Sequence, residues 1–388
     1  MPGPADRVPY KTAILGEPTM RLTVLSFVSA TALLAGFGTA QADIVIGLGT
    51  ATTGPVAALG EQSVYGAKQA VADINAKGGV LGQKLVLKVG DDACDPRQAV
   101  AVANQFVRDQ VTAVVGHLCS GASIPAADVY QEESVVMVSP TATNPLLTAK
   151  GYPTIFRVCG RDDQQGVVAG NYLAQNFKGK NIAVLDDKQA YGKGLADVVV
   201  ETLEKAGGKV AYRGSVTAGE KDFSALITSL KDKNIDAVYY GGYHPELGLI
   251  VRQAQEQGLK PQFIAGDGLN NQEYWSITGP AGEGTLYTDS PSAASDPKAQ
   301  ELIASFKKAG LPEPGNFAFY SYAAVQVIAQ GLQKSGGTDS GKLAKALHAN
   351  SFDTVVGPIE FDKKGDIVKP NYVMYVWSNG QPKMIAQK

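Results

Sequence analysis

The chain reads as an α/β protein of two lobes, each a Rossmann-like unit around a mostly parallel sheet. Three observations predict this. Short apolar runs alternate with helical stretches of roughly 10 to 16 residues, the pattern of βαβ units. The alternation restarts after residue 160. Finally, setting aside the first 42 of 388 residues leaves 346, and single hydrophobic cores stop growing at about 250–300 residues.

The elements follow in order. Residues 43–48 are short and apolar, as a buried first strand requires. Residues 62–77 place Val64, Ala67, Val71 and Ile74 on one helical face and stop at Gly78-Gly79. Residues 84–89 form a strand, and Pro96, suited to a first helical turn, opens a helix to residue 109. A strand over 112–118, a helix over 123–133 and a strand over 135–139 end the first series. The second series has helices at 163–177, 194–206, 223–231 and 246–257, with strands at 181–185, 209–216, 237–240 and 262–265. Beyond residue 288 the rhythm changes. A Pro/Ser/Ala/Asp-rich stretch over 289–297 precedes helices at 298–309, 320–333 and 340–350, then strand-like runs at 359–361 and 372–377. A chain crossing between lobes more than once would return those late helices to the first lobe.

Ahead of residue 43 the sequence reads as an export leader over 20–42. Met20-Arg21, a small apolar run and Ala40-Gln41-Ala42 follow the order of charged region, apolar core and A-x-A cleavage site. Cleavage is expected after Ala42, and residues 1–19 read as an over-extended start. No other stretch is long and apolar enough to span a membrane. A net charge of −2 and an isoelectric point near 6.0 supply no basic field for nucleic acid or anionic lipid.

Three cysteines are present, Cys94, Cys119 and Cys159. Export permits disulfides. A Cys94–Cys119 bridge would fix the loop presenting Ser120 and is favoured here, leaving Cys159 as a buried thiol, although spacing alone does not choose the pairing. Neither a C-x-x-C nor a Cys/His metal spacing occurs, so no metal or cofactor is expected. The run Gly336-Gly337-Thr338-Asp339-Ser340-Gly341-Lys342 has P-loop spacing, but Leu343 stands where magnesium needs Ser or Thr, and it follows a helix. It reads as a helix-to-helix turn. Gly47-Leu48-Gly49 lacks the third glycine of a dinucleotide fingerprint. His117, His244 and His348 are the only histidines, and no nucleophile elbow occurs, so an enzyme is not expected.

Five apolar runs do end in residues suited to a free amino acid: 114–118 before Cys119-Ser120, 135–138 before Ser139-Pro140-Thr141-Ala142-Thr143, 182–185 before Tyr191, 237–240 before Tyr243, and 263–265 before Asp267. Ligands of open parallel sheets sit beyond the carboxyl ends of the strands. Two facing sheets would make a clamp. Ser120 stands just ahead of a helix expected near Ser123, where free N–H groups and the macrodipole favour a carboxylate; a plain helix cap, which Ser123 could itself supply, is the alternative. Thr141 and Thr143 occupy a rigid loop near Pro140 and Pro145. Asp267, flanked by glycines, needs a cation in a closing cleft, and an α-ammonium supplies one. Tyr191 and Tyr243 can wall an aliphatic side chain, whose burial contributes about 2–3 kcal/mol for a leucine-sized group.

The segments Asp91-Asp92-Ala93-Cys94-Asp95-Pro96, Gly116-His117-Leu118-Cys119-Ser120, Ala142-Thr143-Asn144-Pro145, Gly219-Glu220-Lys221-Asp222-Phe223-Ser224-Ala225-Leu226 and Tyr239-Tyr240-Gly241-Gly242-Tyr243 are similar to the periplasmic branched-chain amino-acid-binding proteins of ABC importers. The resemblance covers essentially all of the chain after the leader. It implies a type I periplasmic binding fold with a three-strand hinge, lobe 1 over 43–161 plus 291–372, and lobe 2 over 162–290 plus 373–388. It implies a Cys94–Cys119 disulfide, a periplasmic location, a monomer, and an L-amino acid and a membrane permease as partners. Ser120, Thr141, Ala142 and Thr143 would hold the ligand backbone, Tyr191 and Tyr243 would line the cleft, and Asp267 would meet the ammonium. Two departures stand out: Leu59 replaces a large aromatic of well-known members, and Asp267 replaces Glu. Both leave room for other small ligands, such as alanine, phenylalanine, γ-aminobutyrate or a short amide, or for a chemosensory role.

Overall fold

The structure, a computed structural model, describes residues 42–385. The leader and early-start segments fall outside the described residues, except for Ala42.

The first part of the chain runs β1 (Ile44–Thr50), α1 (Ala57–Ala76), β2 (Leu85–Asp91), α2 (Pro96–Arg108), β3 (Ala113–Val115), α3 (Ser120–Glu132), β4 (Val136–Ser139), α4 (Leu146–Ala149) and β5 (Ile155–Arg157). Its sheet has the order β2-β1-β3-β4-β5 and is parallel throughout. Helix α2 shows how local signals place these elements. The Asp95 carboxylate accepts from the N–H groups of Arg97 and Gln98 at 2.8 and 2.9 Å, Pro96 fills the first turn, and Ala99, Val102, Ala103 and Phe106 face the sheet. A Cβ at Gly47 would lie 2.8 Å from the Phe106 ring, and one at Gly90 within 2.9 Å of it, so both strands use glycine to admit that ring.

The pattern then repeats with α5 (Asp162–Asn176), β6 (Ile182–Asp186), α6 (Ala190–Lys205), β7 (Val210–Ser215), α7 (Ser224–Asp232), β8 (Ala237–Gly241), α8 (His244–Glu256), β9 (Gln262–Ala265), α9 (Gln272–Thr278) and β10 (Leu286–Asp289). The parallel strands lie in the order β10-β9-β8-β6-β7, the first sheet's arrangement again. Each sheet therefore reverses strand order at the equivalent place, the crevice where open α/β sheets bind ligands.

Helices α10 (Pro297–Lys308), α11 (Asn316–Ser335) and α12 (Ser340–Ala349) and the hairpin β11 (Ser351–Thr354) with β12 (Gly357–Glu360) follow. Helix α11 packs along α1 and onto β3 and β4, so the late helices cover the first sheet. The chain then returns: β13 (Val373–Ser378) pairs antiparallel with β10, and β14 (Gln381–Met384) pairs with β13. Three segments thus join the sheets. A Cβ at Gly160 would lie 2.5 Å from the Tyr372 ring, which brings the first and third of them side by side.

One apolar cluster lies between the first sheet and α1, α10, α11 and α12, a second beneath the second sheet. A third continues from Leu59 and Phe106 of the first lobe to Tyr191, Leu195, Tyr239 and Tyr243 of the second, so the lobes are drawn together.

Several elements differ from the sequence reading. Strands β5, β10, β11 and β14 and helix α9 were not expected; at three to seven residues they carry little periodicity. Helix α6 begins at Ala190, not 194, because Gly192 is an asset there. Its Cβ would sit 2.4 Å from the Gly241 carbonyl oxygen, so only glycine lets α6 approach β8 so closely. Residues 336–342 are a helix-to-helix turn, with Gly336 in the left-handed conformation after α11 and Asp339 capping α12 through the Lys342 N–H at 2.8 Å.

Candidate functional site

Every site residue named from the sequence falls at or near the carboxyl end of a strand, or at the start of the helix that follows. The two sets occupy equivalent positions of the repeated βα pattern. Leu59 and Tyr191 open the helices after β1 and β6, Ser120 and Tyr243 follow β3 and β8, and Thr141–Thr143 and Asp267 follow β4 and β9.

In the first lobe, the disulfide Cys94–Cys119, with Cα atoms 5.5 Å apart, ties the loop after β2 to the start of α3. Buried His117 braces the same loop, its Nδ1 2.6 Å from Asp92 and its Nε2 3.0 Å from the Tyr130 hydroxyl. Helix α3 starts at Ser120 itself, three residues earlier than expected, with Cys119 at the cap position. Ser123 is no cap: its hydroxyl donates to the His117 carbonyl at 2.9 Å. Ser120 is buried, and its Oγ accepts from the Asn144 N–H at 3.2 Å. The Thr141 hydroxyl is engaged with the Leu118 carbonyl at 3.0 Å. Ala142 receives the Arg157 guanidinium on its carbonyl at 2.8 Å, and its N–H donates to Ser139. Thr143 differs, being buried with an Oγ1 that has no hydrogen-bond partner among the described residues. Leu59 is fully buried in the shared apolar cluster.

In the second lobe, the Tyr191 hydroxyl donates to the Asp267 carboxylate at 2.6 Å and accepts from the Gly268 N–H at 3.0 Å. The Tyr243 ring lies 5.0 Å from that of Tyr191, making a double aromatic wall. Asp267 is half-buried and forms no ion pair among the described residues. Burial pushes its carboxyl above the usual range, opposed by hydrogen bonds from Tyr191 and Gln165. The lobes touch where Asn144 Nδ2 donates to the Ala190 carbonyl at 2.6 Å, next to Tyr191. A continuous relay therefore runs Ser120, Asn144, Ala190-Tyr191, Asp267 from one lobe to the other. Between α1 and α9 the lobes leave a groove of about 710 Å³, lined by Thr52, Glu61, Tyr65, Gln272 and Glu273.

Sequence reasoning missed Asn144, Asp162 and Gln165, and also Tyr239 and Tyr372, whose hydroxyls burial pushes strongly upward beside the Asp162 and Asp267 carboxylates. Asn144-Pro145 and the first turn of α5 carried the available signals: a polar residue before proline, and acids just after a lobe crossing. Cys159 is a free, buried thiol, pushed upward chiefly by that burial.

Residues 43–381 match the periplasmic binding protein family. The Leu/Ile/Val-binding protein homolog 1 of Brucella suis is 47% identical over 362 residues, 93% of this chain and 97% of that protein. A leucine-, isoleucine-, valine-, threonine- and alanine-binding protein of Pseudomonas aeruginosa is 46% identical over 359 residues, 92% of this chain and 96% of its own length. Among solved structures, a leucine binding protein from Thermotoga maritima aligns with a TM-score of 0.82 at 30% identity, covering 88% of this chain and 98% of that one. The match spans both sheets and every loop described above, and the chain belongs to the periplasmic binding protein family.

Proposed function

We propose that this protein is a periplasmic receptor that captures leucine, isoleucine or valine between its lobes and delivers it, unaltered, to the membrane permease of an ABC importer. The lobes are taken as 43–161 plus 291–372 and 162–290 plus 373–388, a division supported by sheet membership. The observation that carries the reading is Asp267: a half-buried carboxylate with no ion-pair partner among the described residues, held by the Tyr191 hydroxyl next to the point where Asn144 of the first lobe meets Ala190. A zwitterion supplies the missing cation, and the α3 N-terminus with Ser120 suits its carboxylate. The protein acts as a monomer, and the closed form, favoured by ligand, is what the permease recognises.

The Pseudomonas aeruginosa relative is named for threonine and alanine as well, and Leu59 gives the side chain less ring contact than an aromatic would. Both favour a second, broader reading in which smaller amino acids also bind. Calorimetric titration with leucine, isoleucine, valine, threonine, alanine, phenylalanine and γ-aminobutyrate tests both. Tight binding of the branched-chain trio supports the first reading. Heat with none of the α-amino acids would refute the proposal, as would chemical change of recovered ligand.

A further inference from the structure

We propose that Asp289 is a positioning residue that holds the two lobes closed on the bound amino acid. Its carboxylate clasps Asn270, beside the Asp267 turn, and Asn316, at the head of α11. The inference rests on the amino-acid reading above and adds to it a residue that acts through its neighbours.

Asp289 ends β10, where the chain leaves the second sheet for the helices that cover the first. It is buried, and its carboxylate meets three donors. Oδ2 accepts from the side-chain amides of Asn270 at 2.6 Å and Asn316 at 3.0 Å, and Oδ1 accepts from the Ser290 N–H at 2.6 Å. The two amides come from different lobes. Asn270 belongs to the second, where its N–H donates to the Asp267 carbonyl at 2.9 Å and closes the turn that presents Asp267. Asn316 is the buried first residue of α11, which packs along α1 and onto β3 and β4. The crossing segment itself is pinned to the second sheet. Tyr375 of β13 donates to the Ser290 carbonyl at 3.1 Å and accepts from the Ser292 N–H at 2.9 Å. Asn316 is therefore the half of the clasp that lets go when the lobes part.

Three donors shared between two oxygens call for an ionised carboxylate, which accepts on both of them. The N-terminal end of α11, a helix of 20 residues, favours the same charge. A protonated carboxyl or an asparagine must place hydrogen at one of the two positions, so one of these N–H groups loses its acceptor. Burial, then the Asp267 charge, push the Asp289 carboxyl up to about 8, and the three donors pull against this. The ionised, clasping form therefore gains on the neutral one as pH rises past that value. Tyr287 on the same strand, Tyr375 of β13 and Tyr320 of α11 face it, and burial pushes all three upward, so they stay neutral there. Asp267 is pushed upward as well, but it is common to every protein compared below.

The test compares wild type, Asp289→Asn, Asn316→Ala and the double variant by stopped-flow and calorimetric titration with L-leucine, at about pH 9 and about pH 6, either side of the Asp289 value. At the higher pH, Asp289→Asn is expected to raise Kd about tenfold, through faster release with an unchanged on-rate. At the lower pH, where the wild-type carboxyl is itself neutral, the two are expected to agree within about twofold. Asn316→Ala is expected to lose as much at the higher pH, and the double variant no more than the larger single loss, because both break one clasp. Small-angle scattering without ligand is expected to show a larger radius of gyration for each variant. Thermal melting checks the fold, and Asn316→Ala carries the test if Asp289→Asn does not fold. An affinity within twofold of wild type at the higher pH, an equal loss at both pH values, or additive losses would overturn the inference. Absence of leucine binding by the wild type would instead count against the amino-acid reading itself. The clasp is then judged by scattering, where an unchanged radius of gyration in the folded variants overturns it.

Discussion

Replacing Asp267 by alanine tests the zwitterion clamp most directly. The carboxylate has two duties in the structure: it accepts the 2.6 Å hydrogen bond from Tyr191, and it offers a negative charge that no protein cation meets among the described residues. Removing one partner of a buried, hydrogen-bonded charge pair typically costs 2–5 kcal/mol of binding energy, roughly. One feature places this case at the low end. Asp267 is only half-buried, so water screens part of the loss. The expectation is about 2–3 kcal/mol, a rise in Kd of about 30- to 150-fold. Tyr191→Phe is the informative control, because it removes the aiming hydroxyl and leaves the charge; about 1 kcal/mol is expected. Titration calorimetry with leucine reads both, and melting of the ligand-free proteins checks the fold. A Kd for Asp267→Ala within twofold of wild type would refute the assignment of the ammonium to this residue.

Asn144→Ala removes the 2.6 Å contact between lobes at Ala190, so the ligand-free protein should open, with a larger radius of gyration by small-angle scattering and a leucine Kd weaker by about 0.5–1.5 kcal/mol. Cys94→Ser with Cys119→Ser frees a loop of sequence separation 25 and should lower stability by about 3 kcal/mol in urea unfolding, with reductant then having no further effect. Asp187 gives a pH signature. Burial pushes its carboxyl up to about 7, opposed by the Gln189 N–H and reinforced by Glu246. A raised carboxyl binds its proton more tightly in the folded form, so its contribution is most favourable below the unfolded value near about 4 and is lost as pH climbs towards about 7. Asp187→Asn should therefore gain on wild type over that window, by at most about 4 kcal/mol, three pH units at about 1.4 each. Parallel pH profiles of the two proteins would contradict this.

The legible part of the fold was the part written in periodicity. Long amphipathic helices such as α1, α2 and α8, and apolar strands such as β1, β6 and β8, announce themselves because one face of each must be dry. Strands β5 and β10 did not, because three or four residues of a fully buried strand have no alternation to read. The start of α6 was misplaced for a related reason. Glycine disfavours a helix in isolation, and its value at Gly192 appears only when β8 lies against it.

The same division holds for the site. From residue order alone came the strand-end set: hydroxyls at Ser120, Thr141 and Thr143, rings at Tyr191 and Tyr243, and the carboxylate of Asp267, because parallel sheets present ligands at those ends whatever the loops contain. The tertiary structure alone distinguished among them. It committed the Thr141 hydroxyl to a backbone carbonyl, left that of Thr143 without a partner among the described residues, set the Asp162 N–H on the Thr143 carbonyl, and brought Asn144 against Ala190. Sequence fixes which groups a chain carries and which face of an element they share. Whether a polar atom is already satisfied depends on neighbours that are distant along the chain, and only packing brings those within hydrogen-bonding reach.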